Sequence, residues 1–394
     1  MAQYTINSEY ASVFGLDTHA RTTTARGIDL ETGAMKVKRF VDCPAPGEIA
    51  AWMHQYFPAP HYAAYESGCT GFYLCRELIG LGVDCDVLAV STIARSTNDK
   101  QNKNDRKDAK RLLDELLIPS SSPSKVWLPD CELEGVRDYL RCYRDEVVAL
   151  KRSKQQTTAL LLRHGHVFNE KTPTGSRKEN WGGAFMAWVG GINLKAPAAN
   201  AALSRYLASV AEGTEVRKQM AAMIAGIASE QRYKPYVDAF CCLMGVDVYS
   251  AMVYVSEIGD FFRFKNGRTV SKWDGLTPSE HSSGDNQASN GHITKAGNSH
   301  VRTALVEGLS SIGRRKYRPA SPKPGQAVSA RVIAECNKCN KRLLARYQHL
   351  VKDLNKKPNV AKIAVANEMI RWIWHIGCMV QAEQQKQAGT ARDR

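Results

Sequence analysis

The sequence of 394 residues contains no apolar run that approaches the ~20 residues a membrane-spanning helix needs. A helical membrane protein is therefore excluded. The stretch from Met1 to Ser12 is polar and lacks the apolar centre of a secretory signal, so a cytoplasmic location is expected. Acidic residues are few beside basic ones: 39 Asp and Glu stand against 54 Lys and Arg, a formal net charge of +15. An excess of that size points to a polyanionic partner, nucleic acid first. A membrane surface is a weaker candidate, because the basic residues are spread over the whole chain. Paired cysteine motifs are also scarce. The 11 cysteines are irregularly spaced, and only Cys336 and Cys339 form a C-x-x-C pair, with no second pair to complete a zinc site. They read as reduced thiols.

What is present centres on Asp105-Arg106-Lys107-Asp108-Ala109-Lys110. Positions i and i+3 of a helix share a face, so Asp105 and Asp108 can point at one spot. Two carboxylates that close repel unless a cation lies between them. Lys103, Arg106, Lys107, Lys110 and Arg111 crowd the same turn. Acids aimed at a metal with cations around them suit a phosphodiester substrate. Asp at a helix start is also favourable in a merely solvated helix. Two further acids tip the balance, because each closes an apolar strand: Asp17 after Val13-Phe14-Gly15-Leu16, and Glu66 after His61 to Tyr65.

Taken in order, the chain opens with three expected strands, Val13 to Asp17, Thr22 to Ile28 and Ala34 to Phe40. A helix (Glu48 to Phe57), a strand (His61 to Tyr65), a helix (Gly71 to Leu81) and a strand (Val83 to Val90) follow, then the helix from Asp105. A meander followed by alternating helix and strand predicts an α/β domain with a mixed sheet. Asp17 and Glu66 lie at strand ends, where open α/β sheets place their sites. The Ser/Pro-rich stretch from Pro119 to Pro129 reads as a linker. Leu133, Val136, Leu140, Tyr143, Val147 and Leu150 then recur every three or four residues. That stripe predicts a long helix reaching Arg163, paired with another helix or another subunit. His164 to Gly191 reads as an inserted polar, Gly-rich loop, and helices are expected over Ala198 to Ala211 and Thr214 to Arg232.

A third, mainly helical unit is expected from Tyr236 onward. The turn Gly245-Val246-Asp247, ahead of the apolar run from Tyr249 to Ile258, suits a phosphate grip by exposed amides. Ser279 to Thr294 has almost no apolar residues and reads as a functional loop. Lys295 opens the next helix, and the basic segment Arg314-Arg315-Lys316-Tyr317-Arg318 suits a nucleic-acid backbone. With Lys103, Arg106 and Lys107, the residues Lys295, Arg314, Arg315 and Lys316 are the expected nucleic-acid contacts. Helices are expected over Val328 to Leu354 and Asn359 to Gln381, and a disordered polar tail from Ala382.

The acids Asp17, Glu66, Asp105 and Asp108, in that order, resemble the DEDD signature of the insertion sequence 110 family of transposases. The wording around them is similar too: Gly15-Leu16-Asp17-Thr18, Tyr65-Glu66-Ser67-Gly68 and Asn104-Asp105-Arg106-Lys107-Asp108-Ala109. So are Gly275-Leu276-Thr277-Pro278, Ser283-Gly284 and Lys295-Ala296-Gly297 near the C-terminus. The chain departs from the family at Gly245-Val246-Asp247, where a Gly-x-Gly is usual, and in the insert from Lys171 to Gly191. The resemblance implies a RuvC-like (RNase H-like) nuclease domain over residues 1–128, a coiled-coil region over 129–235, and a transposase domain with a nucleophilic serine over 236–394. It implies Mg²⁺, two ions per site, held by Asp17, Glu66, Asp105 and Asp108. It also implies target and donor DNA as substrates, a bridge RNA that pairs with both, and a homo-oligomer, dimer or tetramer, acting at the prokaryotic nucleoid.

Two divalent ions ~3.5–4 Å apart stabilise the attacking and the leaving oxygen of an in-line displacement, and all-oxygen ligands favour Mg²⁺. Ser283 would attack a DNA phosphate to give a phosphoserine link that conserves the phosphodiester energy. Residue type does not separate Ser283 from its neighbour Ser282; the motif alignment selects Ser283. Three readings follow: RNA-guided recombination through Ser283, a RuvC-like junction nuclease that uses water, and a non-catalytic nucleic-acid scaffold. The four acids count against the scaffold.

Overall fold

The structure is a computed structural model. It describes residues 9–68, 70–90, 105–118, 123–281, 289–322 and 324–392, with the side chains of 105–107, 280, 281, 289–291 and 388–392 left aside. Two compact units make up the chain, Met1–Pro129 and Asp130–Arg394. No described helix is long and apolar enough to cross a membrane.

The first unit runs β1 (Ser12–Thr18), β2 (Thr23–Asp29), β3 (Met35–Phe40), α1 (Pro46–Tyr56), β4 (His61–Glu66), α2 (Tyr73–Gly80), β5 (Val83–Leu88) and α3 (Asp105–Leu117). Its mixed five-stranded sheet has the order β3-β2-β1-β4-β5. The β1, β2 and β3 pairings are antiparallel, whereas β1–β4 and β4–β5 are parallel. Strand side chains alternate between the two faces. Phe14 and Leu16 of β1, with Ala63 and Tyr65 of β4, face Trp52, Met53, Leu74 and Leu78 of α1 and α2. Val13, Tyr62 and Ala64 face Leu112 and Leu113 of α3. The same alternation carries positions 17 and 66 to the α3 side.

Gly15 sets how close α3 comes. A Cβ there would stand 2.6 Å from the Ala109 carbonyl oxygen and 2.6 Å from the Leu113 nitrogen, both backbone atoms. Any side chain at 15 would push the helix off the strand.

The second unit is almost entirely helical. It comprises α4 (Cys131–Arg163), α5 (Gly183–Gly190), α6 (Pro197–Ala228), α7 (Lys234–Phe240), α8 (Val248–Ile258), α9 (Gly267–Trp273), β6 (Pro278–His281), β7 (Ser289–Ile293), α10 (Ser299–Gly308), α11 (Ala330–Gln348) and α12 (Pro358–Arg392). The helices α4 and α6 pair along their length as a hairpin. Asp130 caps α4 by accepting from the Leu133 amide at 2.9 Å. Leu133, Val136, Leu140 and Leu150 of the heptad-like stripe are buried within the chain itself. Leu150 meets α6 at Gly213, where an added Cβ would lie 3.4 Å from it. Tyr143 packs its ring against that of Tyr249 of α8, centroids 4.9 Å apart and tilted by 45°.

Three local expectations are corrected. The sequence predicts two helices over 198–232, but α6 is continuous through Gly213 because close packing on Leu150 offsets that residue's weak helix propensity. The inserted loop is not structureless: α5 places Phe185 and Val189 against Leu160, Leu161, Leu194 and Leu203, with Phe168, Trp181 and Trp188 around them. The polar tail continues α12 as far as Arg392, in keeping with its Ala, Gln, Glu and Lys content.

Candidate active site

Position 17 is the penultimate residue of β1, and position 66 ends β4. The parallel register pairs Leu16 with Tyr65, so the two acids follow that pair on adjacent strands. Asp108 lies one turn ahead of Leu112 on the face of α3 that packs on the sheet. The side chains of Asp17, Glu66 and Asp108 are 15, 24 and 30 % exposed, partly dry yet open to a ligand. Arg111, one turn beyond Asp108, ties two of them together. Its guanidinium contacts Glu66 Oε1 closely and lies 3.5 Å from Asp108 Oδ1. His19 Nε2 lies 3.3 Å from Asp17 Oδ2. Next to it, the Thr18 and Thr70 hydroxyls share a hydrogen bond at 3.2 Å. Asp105 opens α3, and its side chain lies outside the described residues. Among the described residues, no three His, Cys, Asp or Glu side chains stand close enough to hold a metal ion by themselves.

Composition indicated cations around the acids without assigning one to them. Among the described residues Arg111 reaches two of the carboxylates, and its signal is its spacing of three from Asp108. His19 was missed, although it follows Asp17 by the two residues that keep a strand residue on the same face. Lys103 falls outside the described residues. Arg106 and Lys107 lie in α3 with their side chains not described.

In the second unit the two motif segments Gly275-Leu276-Thr277-Pro278 and Lys295-Ala296-Gly297 form the base of one hairpin. Lys295 N donates to the Gly275 carbonyl at 3.0 Å, and Thr294 N to the Thr277 carbonyl at 2.9 Å. Gly275 (φ +73°) and Gly297 (φ +134°) take conformations that disfavour L side chains. Added Cβ atoms would stand 2.7 Å from the Ala296 oxygen and 2.0 Å from the Trp273 oxygen. The polar segment taken as a loop therefore contains the strands β6 and β7, paired antiparallel. Residues 282–288 connect them, so Ser282 and Ser283 lie outside the described residues.

Below this base, the buried Asp274 accepts from the Leu276 amide at 2.9 Å. Burial pushes its carboxyl up to about 7. Asn298 Oδ1 caps α10, and its Nδ2 donates to Glu257 Oε2 at 2.8 Å. Glu257, itself buried, also receives Arg141 at 2.9 Å and stands 3.8 Å from Arg137.

Arg314, Arg315 and Lys316 are exposed and line a groove of about 870 Å³ with Gly245, Val246 and Asn340. Lys295 is also exposed. The expected phosphate grip at residues 245–247 is altered by the chain's own acid. Asp247 caps α8, accepting from the Ser250 amide at 2.8 Å, so a carboxylate already holds that helix start.

Comparison with known proteins places the chain among transposases. Residues 237–323 match the family described as transposase, IS116/IS110/IS902 family. The chain is 32% identical over 322 residues to a putative transposase, y4qE, of Sinorhizobium fredii, covering 80% of this chain and 75% of that protein. It is 31% identical over 212 residues to the transposase for insertion sequence element IS1533 of Leptospira borgpetersenii, covering 54% and 59% respectively. It is 26% identical over 327 residues to a probable family 20 transposase of Pseudomonas aeruginosa, covering 80% and 83%. With the first match spanning both units, the chain belongs to the IS116/IS110/IS902 family of insertion-sequence transposases.

Proposed function

We propose that this transposase carries out RNA-guided, site-specific DNA recombination, with Ser283 as nucleophile and Asp17, Glu66, Asp105 and Asp108 as the metal-holding acids. The observation that carries the reading is that Arg111 bridges Glu66 and Asp108 on the α3 side of one sheet, the side on which position 17 also lies. Like charges gathered there need a cation. Arg111 supplies one, and the donor set, carboxylate oxygens alone, fits Mg²⁺. When bound, the metal polarises the scissile phosphate and stabilises charge on the departing oxygen.

In this reading residues 1–128 are a RuvC-like domain, 129–235 a coiled-coil region and 236–394 the transposase domain. The antiparallel meander extended by parallel β4 and β5 supports the first assignment. Ser283 Oγ forms a bond to phosphorus while a bond from phosphorus to a deoxyribose oxygen breaks. The serine proton is lost to solvent or a base, and the departing oxygen gains one. Attack by a new strand's hydroxyl on the phosphoserine reverses the process and joins the strands. Arg314, Arg315, Lys316 and Lys295 bind nucleic-acid phosphates, as do Lys103, Arg106 and Lys107. A bridge RNA aligns target and donor DNA, and a dimer or tetramer acts on both.

The test is strand cleavage of element-end DNA in Mg²⁺ with the co-purified RNA. Asp108→Asn and Glu66→Gln should abolish cleavage and leave circular dichroism unchanged. Cleavage at the wild-type rate by either would overturn the metal-holding assignment.

A further inference from the structure

Charge is unevenly distributed along the α4–α6 hairpin. Residues 131–150 contain five acids and three Arg, a net of two negative charges. Residues 151–195, which take the chain out to the far end and across it, contain eight Lys and Arg against two Glu, a net of six positive charges. The 33 residues of α4 place that end about 50 Å from the helix start. The far end is a built structure: Phe185 packs edge-on or tilted against Phe168, Trp181 and Trp188 at 4.7–5.5 Å between ring centroids, and Lys154 lies 5.5 Å over the Trp181 ring.

On this support the chain makes a short turn. Gly175 (φ +83°) and the bonds Thr172 N to Ser176 O at 2.7 Å and Lys178 N to Glu170 O at 2.8 Å close it. The closure makes Lys171 and Arg177 direct antiparallel partners, both exposed. Like charges directly opposite each other across a strand pair are destabilising. Lys178 is neutralised by Glu170 at 2.9 Å, but no acid is paired with Lys171 or Arg177 among the described residues. Arg163 and Lys195, exposed at the adjoining helix ends, add to the same charge.

We propose that the far end of the α4–α6 hairpin is a docking surface for the phosphate backbone of duplex DNA, the polyanion on which a transposase acts, gripped by Lys171 and Arg177. A phosphate between the two cations removes the repulsion that the fold imposes on them. The backbone pairing of residues 171 and 177 sets their spacing before binding, which lowers the entropic cost of the grip. The residues to be changed are neither the acids nor the serine, and the assay reads binding alone. Its failure would therefore leave the catalytic reading standing, and failure of that reading would leave this surface standing.

The experiment compares wild type with the Lys171→Gln/Arg177→Gln double variant. Binding of a labelled stem-loop RNA and of a labelled duplex DNA is followed over a salt series by anisotropy. Two lost phosphate contacts should flatten the slope of log K against log salt by about 1.8 on duplex DNA, at about 0.9 per contact. Thermal stability should hold or rise, because a repulsive pair is removed; a structural pair would lose stability instead. A slope flattened on duplex DNA bears the proposal out; a slope flattened on the RNA alone would overturn it in favour of an RNA surface. Unchanged affinity and slope on both probes would overturn the proposal.

Discussion

Gly15 of β1 lies directly under Ala109 of α3, so close that a single methyl group at 15 would meet the Ala109 carbonyl oxygen at 2.6 Å. The contact links fold to site, because Ala109 is flanked by Asp108 and Asp17 lies two residues beyond Gly15 on the same face. Gly15→Ala must lift the helix or bend the strand, at about 1–3 kcal/mol for an overpacked contact. Urea unfolding should show that loss, and cleavage should fall with it. Unchanged stability would mean that α3 is not seated on Gly15.

Arg111 contacts Glu66 and Asp108 with the charge a metal would supply. Arg111→Gln should lower the melting temperature in chelator, since two carboxylates are left facing each other. It should also enlarge the rise in melting temperature on adding Mg²⁺, because those oxygens become available to the ion. A Mg²⁺ response identical to wild type would show that the guanidinium does not compete for that place.

Glu257 holds together residues separated by more than a hundred positions. Arg141 and Asn298 bond its carboxylate, and Arg137 donates to the Ser256 and Glu257 carbonyls at 2.8 and 3.1 Å. Glu257→Leu removes the carboxylate 3.8 Å from the buried Arg137, at about 3–5 kcal/mol. Adding Arg137→Met should restore much of that stability. If the double variant proves as unstable as the single one, the loss came from packing and not from an orphaned charge.

Asp274 gives a pH dependence with a definite sign. Burial raises its folded pKa to about 7, above the ~3.9 of an unfolded aspartate. Between those values the folded state binds more protons. Its contribution is therefore full below about pH 4 and is lost as pH rises through about 7. Asp274→Asn should gain stability relative to wild type on going from pH 5 to pH 8, by about 2–3 kcal/mol. A difference that stays constant over that range would contradict a protonated Asp274.

Strand and helix periods carry most of what the sequence discloses. Apolar runs closed by Asp17 and Glu66 give two strand ends, and the spacing of Asp105 and Asp108 gives one helix face. The pairing of β1 with β4 is not local information, and neither is the closeness of α3, which rests on the missing side chain at Gly15. The strands β6 and β7 were hidden because their pairing is by backbone hydrogen bonds, which polar residues make as well as apolar ones. The stripe on α4 was legible, but its partner was not: a 3–4 repeat is the same whether another helix of the chain or another subunit covers it. Glu257 sits within an otherwise apolar run, and its partners come from α4 and from the cap of α10.

The central claim is that a serine becomes covalently joined to DNA. Protein incubated with end-labelled element DNA, its RNA and Mg²⁺ is resolved by denaturing electrophoresis. Wild type should show a labelled protein–DNA adduct that is absent in chelator and absent in Ser283→Ala, while Ser283→Ala still binds the RNA. Cleaved DNA with no adduct under any condition would contradict the account and assign the attack to water.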